Sequence, residues 1–153
     1  MTICAFFGHS GSFPIERVES CLEDVVSQLI LEEGVDEFWL CEQLGSFDYI
    51  SRMVVTKLRN KFNWISLYIA LAYNPTMFTW KWIDENEYNF LHPDEVMKGH
   101  PKFAIVRRNE YIAKHADIIV CYITRDFGGA YKAVEKAKKY GKKIINIADY
   151  IFK

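Results

Sequence analysis

The sequence predicts an α/β domain with a mostly parallel central sheet, and two observations carry this prediction. Apolar segments of strand length alternate along the chain with segments in which apolar residues recur at helical spacing. Several strand segments, such as "TICAFFG" at 2–8 and "DIIVCYI" at 117–123, are almost continuously apolar. Continuously apolar strands are typical of a parallel sheet that helices cover on both faces. At 153 residues the chain has the length of one domain, and we expect residues 1–153 to form one.

Each element is predicted from its own pattern. Runs rich in β-branched and aromatic residues predict strands at 2–8, 36–41, 64–71, 117–123 and 142–148, with a further short strand at 102–106. Apolar residues at helical spacing predict helices from Pro14 to Gly34, over 47–58, over 107–116 and over 128–141. Pro14 suits the first turn of a helix, while Gly34 and Gly141 suit helix ends.

The segment at about 74–101 interrupts this alternation. It contains three of the four prolines and two of the four tryptophans, without a regular apolar period. We expect an aromatic-rich loop inserted into the domain, with one short helix near 80–90. Loops of this length inside a compact domain are usually functional or disordered, and the aromatic content argues against disorder. If Trp80 and Trp82 form an exposed patch, the segment is instead a protein-interaction surface.

Composition argues against several classes of protein. Nineteen Lys and Arg residues balance twenty Asp and Glu residues, so neither a nucleic acid nor an anionic membrane is an expected partner. The sequence shows no signal peptide and no apolar run of the roughly 18 residues that a membrane helix needs. We therefore expect a cytoplasmic protein. The four cysteines and the histidines lack metal-ligand spacing, so we expect reduced thiols and neither a metal nor another cofactor.

Candidate functional residues lie at three polar breaks, 8–14, 41–48 and 124–131, each directly after a predicted strand. In parallel sheets, ligands bind at the carboxyl ends of the strands where the strand order reverses. Gly128 and Gly129 open a helix, so their N–H groups and the helix dipole favour a phosphate or carboxylate. Arg107 and Arg108 open the preceding helix, where each is either a solvated or ion-paired surface residue or a guanidinium donor to an anion. The patterns G-x-x-x-x-G-K-S/T and G-x-G-x-x-G are absent, which argues against kinase, GTPase and ordinary dinucleotide-binding functions.

Four short motifs occur in the order of a known family: "FFGHS" (6–10), "LGSFD" (44–48), "AIVRRN" (104–109) and "GGA" (128–130). With these motifs the chain resembles the SLOG superfamily, the Rossmann-like domains shared by the lonely-guy proteins and the DNA-processing protein DprA/Smf. It is most similar to a branch of small bacterial proteins with an F-F-G-H-R opening. The resemblance covers nearly the whole chain and implies a Rossmann-like three-layer sandwich that forms a homodimer.

The resemblance to the lonely-guy enzymes extends to their chemistry. Their pattern is an arginine, an aspartate nine residues later, and then P-G-G-x-G-T-x-x-E, which Arg108, Asp117, the 128–129 glycine pair and Glu135 match. In that family the arginine and the glutamate serve hydrolysis of the N-glycosidic bond of nucleoside 5′-monophosphates. The resemblance therefore implies that Arg108 and Glu135 are catalytic, while Asp117 is expected to be structural.

Departures from that pattern favour binding over catalysis. "TRDF" (124–127) separates the strand from the glycine pair, Tyr131-Lys132 replaces Gly-Thr, and Ser10 replaces the arginine of the opening motif. A phosphate cradle that needs a third glycine cannot form in the same way around a tyrosine.

The leading hypothesis is a module that binds a nucleotide or nucleotide-derived small molecule for sensing or signalling. The alternatives are a phosphoribohydrolase and a protein-interaction module with a vestigial pocket. His9 either contacts the ligand or bonds a neighbouring backbone carbonyl, and Asp48 either accepts from a ribose hydroxyl or caps its helix. Gly8 is expected to allow a ligand to approach closely. The predicted ligand-binding residues are Gly8, His9, Ser10, Gly11, Ser12, Gly45, Ser46, Asp48, Arg108, Asn109, Gly128, Gly129 and Ala130.

Overall fold

Six parallel strands form one sheet, which confirms the predicted α/β class. The computed structural model of the protein describes residues 1–9, 11, 13–42, 45–73 and 88–152. Within these ranges the strands are β1 (Ile3–Gly8), β2 (Glu37–Cys41), β3 (Ser66–Ala70), β4 (Asn89–Leu91), β5 (Ile118–Tyr122) and β6 (Lys143–Asn146). Their spatial order is β4-β3-β2-β1-β5-β6, and every neighbouring pair is parallel.

Helices cover both faces of the sheet, which makes the chain a Rossmann-like three-layer sandwich. The helices are α1 (Ile15–Glu32), α2 (Ser46–Lys61), α3 (Asp94–Met97), α4 (Ala104–His115), α5 (Gly129–Lys139) and α6 (Ile147–Ile151), with a 3₁₀ turn at Pro101–Phe103. Side chains of β1 alternate between two apolar clusters: Cys4 and Phe6 pack with α1, α2 and α6, whereas Ala5 and Phe7 pack with α4 and α5. The strict alternation is the pleat of a strand that is buried on both faces.

The strand order reverses at β1, and this reversal positions the site. β1 pairs with β2 on one side and with β5 on the other, so that Gly8 lies opposite Tyr122. The His9 amide extends this pairing by donating to the Tyr122 carbonyl oxygen at 3.2 Å. Beyond these strand ends the chain runs from β1 into α1 on one face and from β5 into α5 on the other. The two connections diverge and leave a crevice between them.

The region from 88 to 108 differs from the sequence prediction. The strand expected at 102–106 does not form, because Pro101 opens a 3₁₀ turn and α4 begins directly after it at Ala104. The His100 ring nitrogen Nδ1 stabilises this turn by accepting from the Lys102 amide at 3.1 Å. As a result, Arg107 and Arg108 lie inside α4 and not at its head. Arg107 donates to the carbonyl oxygens of Val96 and His100, both at 2.9 Å, and so fastens this segment to α4.

Two further elements were not predicted. β4 falls within the expected 74–101 loop and pairs with β3, so the described part of that segment extends the sheet. α6 begins at residue 147 because the Asn146 side chain accepts from the Ala148 amide at 3.1 Å, which ends the last strand two residues early. Trp80 and Trp82 lie outside the described residues. Of the short helix expected at 80–90, the structure describes only residues 88–90, and residues 89 and 90 belong to β4. No helix in the described ranges is long and apolar enough to cross a membrane.

Candidate functional site

A cavity of about 490 Å³ opens at the carboxyl end of β1, where the strand order reverses. Its walls come from the ends of β1 and β2, the first turns of α2 and α5, one face of α4 and the loop after β5. The lining residues are Phe7, Gly8, His9, Cys41, Gly45, Asp48, Ile105, Arg108, Asn109, Arg125, Gly129 and Ala130. The volume lies in the range of about 300–1,000 Å³ that is typical of small-molecule sites.

Another hollow, of about 550 Å³, lies between α1 and α6. Its arginine, Arg17, donates to the Ile151 carbonyl oxygen, so this cation holds α6 against α1. The cavity at β1 is favoured as the site because it lies at the reversal of strand order and is lined by Arg108, Arg125 and the start of α5.

Eight of the predicted ligand-binding residues line this cavity: Gly8, His9, Gly45, Asp48, Arg108, Asn109, Gly129 and Ala130. Ser46 does not line it, because its hydroxyl donates to the Gly11 carbonyl oxygen at 3.1 Å and ties the loop after β2 to the loop after β1. Gly128 precedes α5 with a φ of 97°, a conformation that favours glycine. Ser10 and Ser12 lie outside the described residues.

Arg108 is buried, and part of its guanidinium group is already occupied. It donates to the Glu42 carboxylate at 3.4 Å and to the Asn109 side-chain oxygen at 2.9 Å. The same Glu42 oxygen accepts from the Ala72 amide at 2.7 Å, which links the ends of β2 and β3 to α4. Burial raises the pKa of Glu42, and the Ala72 amide and Arg108 oppose that rise. Arg108 is therefore held in one orientation beside the cavity, so little side-chain entropy would be lost if it bound a guest.

Asp48 places a carboxyl group at the cavity wall. Burial raises its pKa to about 6, against the opposing effect of Arg108 and Arg52. Its side chain does not cap α2: Gly45 is the N-cap residue, and no side-chain hydrogen bond caps this helix. Asp48 therefore changes charge close to neutral pH, at the place where an anion would bind.

The raised pKa of Asp48 predicts a pH-dependent stability. The unfolded carboxyl group loses its proton near pH 3.8 and the folded one near pH 6, so stability falls as the pH rises between these values. Above pH 6 the folded state is disfavoured by up to about 3 kcal/mol. We expect Asp48→Asn to raise the free energy of unfolding by about 1–3 kcal/mol at neutral pH and to give no gain at a pH where both states are protonated. Urea denaturation at both pH values measures this, and an equal gain at both would contradict it.

Arg125 is a cation that sequence reasoning missed. In the sequence "TRDF" stands out only as a departure from a family pattern, yet Arg125 lines the cavity from the loop after β5. The side chain is exposed, and its guanidinium carbon lies 4.7 Å from the centre of the Phe127 ring. The sequence did contain a signal for Arg125: it lies in the break after β5, which is the strand next to β1 at the reversal of strand order. Glu42 was missed as well, although it directly follows an apolar strand.

The start of α5 offers backbone donors to the same cavity. Gly129 and Ala130 line it, and no side chain caps this helix among the described residues. The first intrahelical bond is that from the Lys132 amide to the Gly128 carbonyl oxygen at 3.1 Å. The amides before Lys132 have no partner within the helix, and they carry the partial positive charge of its dipole.

Gly8 serves packing within the fold. A Cβ atom at this position would lie 2.3 Å from the Phe47 ring, so the ring of α2 occupies the space that a side chain would take. Phe47 in turn stacks on Tyr122 of β5, with ring centres 6.1 Å apart. The absence of a side chain at Gly8 thus makes room for the Phe47 ring, and the same residue lines the cavity.

The structure does not bring the two predicted catalytic residues together. Glu135 lies further along α5, where it accepts from Lys138 at 3.1 Å and lines a separate hollow of about 250 Å³. Asp117 is structural, as expected, because its carboxylate accepts from the Ile3 amide at 2.8 Å and joins β5 to β1. All four cysteines are free, and Cys4, Cys41 and Cys121 are buried. In the described ranges, no group of three or more potential ligands is placed to hold a metal ion.

The site thus combines two guanidinium groups, helix amides, a titratable carboxyl group and apolar walls, a set that suits an anion with an attached ring. No protein-family model matches the sequence, and no curated protein matches it significantly.

Proposed function

We propose that the protein binds a nucleotide or nucleotide-derived anion in the cavity at the carboxyl ends of β1 and β5. The observation that carries the proposal is that Arg108, Arg125 and the open start of α5 face one cavity. Two guanidinium groups and helix amides are the donors that proteins use for phosphate groups. Phe7, Cys41 and Ile105 supply apolar wall on which a ribose or base can lie.

The two arginines contribute in different ways. Arg108 is buried and fixed by Glu42 and Asn109, so it acts as a preorganised donor. Arg125 is exposed, and no carboxylate of the described residues forms an ion pair with it. A phosphate group can therefore recruit Arg125 without breaking an existing ion pair, and it gains the strength of a charge-assisted hydrogen bond.

The resemblance to the SLOG superfamily supports the same function. Arg125 adds a cation to the cavity of a chain whose opening motif has Ser10 in place of arginine. The hydrolase alternative rested on Arg108 acting together with Glu135, and the separation of these residues gives it no geometric support. The interaction-module alternative rested on Trp80 and Trp82, which lie outside the described residues. Binding is the function that the geometry supports best.

Calorimetric titration with AMP, ADP-ribose and inorganic phosphate tests the proposal. We expect at least one nucleotide to bind more tightly than phosphate, and we expect the affinity to fall as salt is added because both arginines act through charge. If none of the three bound at millimolar concentration, the proposal would be overturned.

Arg125→Gln is expected to weaken binding of AMP by about tenfold or more, since one charge-assisted hydrogen bond contributes roughly 1.5–3 kcal/mol. The variant should keep the wild-type thermal stability, because the side chain is exposed. Lys139→Gln removes the same charge at the far end of α5 and is the matched control. Equal losses in the two variants would show that net charge, and not this site, attracts the nucleotide.

A further inference from the structure

His9 has a feature that neither the packing nor the proposed phosphate contacts explain. The residue is only 6% exposed and lines the cavity at the end of β1. Its ring nitrogen Nε2 is buried and has no hydrogen-bond partner among the described residues. A buried polar atom without a partner destabilises a fold by about 1–3 kcal/mol. Nε2 is therefore a candidate for contact with a molecule that enters the cavity.

The surroundings of the ring determine what Nε2 can do. Burial lowers the pKa of His9, and the Arg125 cation lowers it further, so both favour the neutral ring. The Arg125 backbone hydrogen-bonds the ring and opposes this shift, which means that its carbonyl oxygen accepts the ring proton. Since Nε2 has no partner, that bond must come from Nδ1. In the neutral ring the proton is then on Nδ1, and Nε2 carries a lone pair that can only accept.

We propose that His9 Nε2 accepts a hydrogen bond from a hydroxyl group of the guest, so that the cavity selects anions that carry a hydroxyl near the charged group. This inference rests on the proposed function and adds to it the class of guest. Phosphorylated sugars are that class, and the ribose of a nucleotide is one example. Neither arginine can replace His9 in this role, because guanidinium groups only donate.

The position of His9 places the hydroxyl close to the anion. The backbone of Arg125 contacts the His9 ring, and the side chain of the same residue lines the cavity. His9, Arg125 and the start of α5 line the same cavity. A guest whose anionic group contacts Arg125 and α5 therefore occupies the space that Nε2 faces, and a ribose 5-phosphate unit carries both a phosphate and hydroxyl groups.

A comparison of two probes and two proteins tests this inference. The probes are AMP and its 2′,3′-dideoxy analogue, which have the same charge and the same base but differ in two hydroxyl groups. The proteins are the wild type and His9→Asn, since the amide of asparagine can keep the donor to the Arg125 carbonyl while removing the acceptor at Nε2. We expect the wild type to bind AMP about tenfold more tightly than the analogue, because a site built to bond a hydroxyl rejects a molecule that lacks it. We expect His9→Asn to bind both probes with the affinity of the wild type for the analogue.

The outcomes separate the two proposals. Equal affinity of the wild type for both probes would overturn the role of His9 while leaving nucleotide binding intact. Failure of both probes and of inorganic phosphate to bind would overturn the proposed function itself. If His9→Asn does not fold, the ¹⁵N resonance of Nε2 in histidine-labelled wild type decides the question. It should shift on addition of AMP and stay unchanged with the dideoxy analogue, and the same response to both would overturn the inference.

Discussion

Replacing Arg108 with methionine is expected to lower the free energy of unfolding by about 3–5 kcal/mol, because it leaves the Glu42 carboxyl group buried without its cation. Glu42 is 2% exposed at its side chain, and its second carboxylate oxygen has no partner among the described residues. Part of the loss can be recovered when Glu42 takes up a proton, since burial already raises its pKa. Urea denaturation at pH 7 measures the change.

Two further variants show whether burial is the cause. The double variant Arg108→Met with Glu42→Leu removes both charges and is expected to regain most of the lost stability, because apolar residues can replace a buried ion pair at little cost. Lys136→Met breaks the exposed pair between α5 and Glu110 of α4, where the side chains are 42% and 46% exposed. It should change the stability by less than about 1 kcal/mol. Similar losses in Arg108→Met and Lys136→Met would contradict the structural role given to the buried pair.

Gly8→Ala is expected to destabilise the protein by about 2–3 kcal/mol, since the added methyl group would overlap the Phe47 ring. The ring cannot move freely, because it is 1% exposed and stacks on Tyr122. Gly129→Ala is the control: apart from its chain neighbours and the backbone of its own helix, a methyl group added there would have no atom within 4 Å, and the residue is helical. Its substitution should be neutral or slightly stabilising.

A double-mutant cycle with Phe47→Leu identifies the clash. Leucine is smaller than phenylalanine, so the combination with Gly8→Ala should destabilise by less than the sum of the two single changes. Chemical denaturation of the four proteins gives the coupling energy. Strict additivity would show that Gly8 is needed for a reason other than the Phe47 ring.

The strands and long helices were predictable because each shows a local pattern of apolar residues. β1 and β5 are continuously apolar, and α1 repeats its apolar residues at helical spacing. The prediction of a strand at 102–106 was wrong because a short apolar run is equally compatible with a strand and with a buried helix face. Here Pro101 opens a 3₁₀ turn that leads directly into α4. β4 has three residues and lies at the sheet edge, so it leaves almost no local signal.

The site was predictable to the extent that it depends on strand ends. The sequence predicted His9, Asp48 and Arg108 as site residues. They lie in breaks and helices that a parallel sheet places at the carboxyl ends of its strands. The Glu42–Arg108 pair joins residues 66 positions apart in the sequence, so no local sequence pattern could predict it. Glu135 matched a family spacing, but it lies six residues beyond Gly129, or about 9 Å further along the axis of α5 at 1.5 Å per residue.

The central position of β1 has a consequence for how this protein is made. Ile3 and Asp117, which hold β1 against the start of β5, are separated by 114 residues. During synthesis β5 is made long after β1. The edge of β1 that pairs with β5 therefore stays unpaired until β5 has left the ribosome. Long-range parallel pairing of this kind is slow and exposes apolar surface while it is incomplete. Because one wall of the cavity is built from α5 and the loop before it, the cavity is complete only after α5 has been synthesised. A guest of the proposed kind would therefore stabilise only chains that have passed this point.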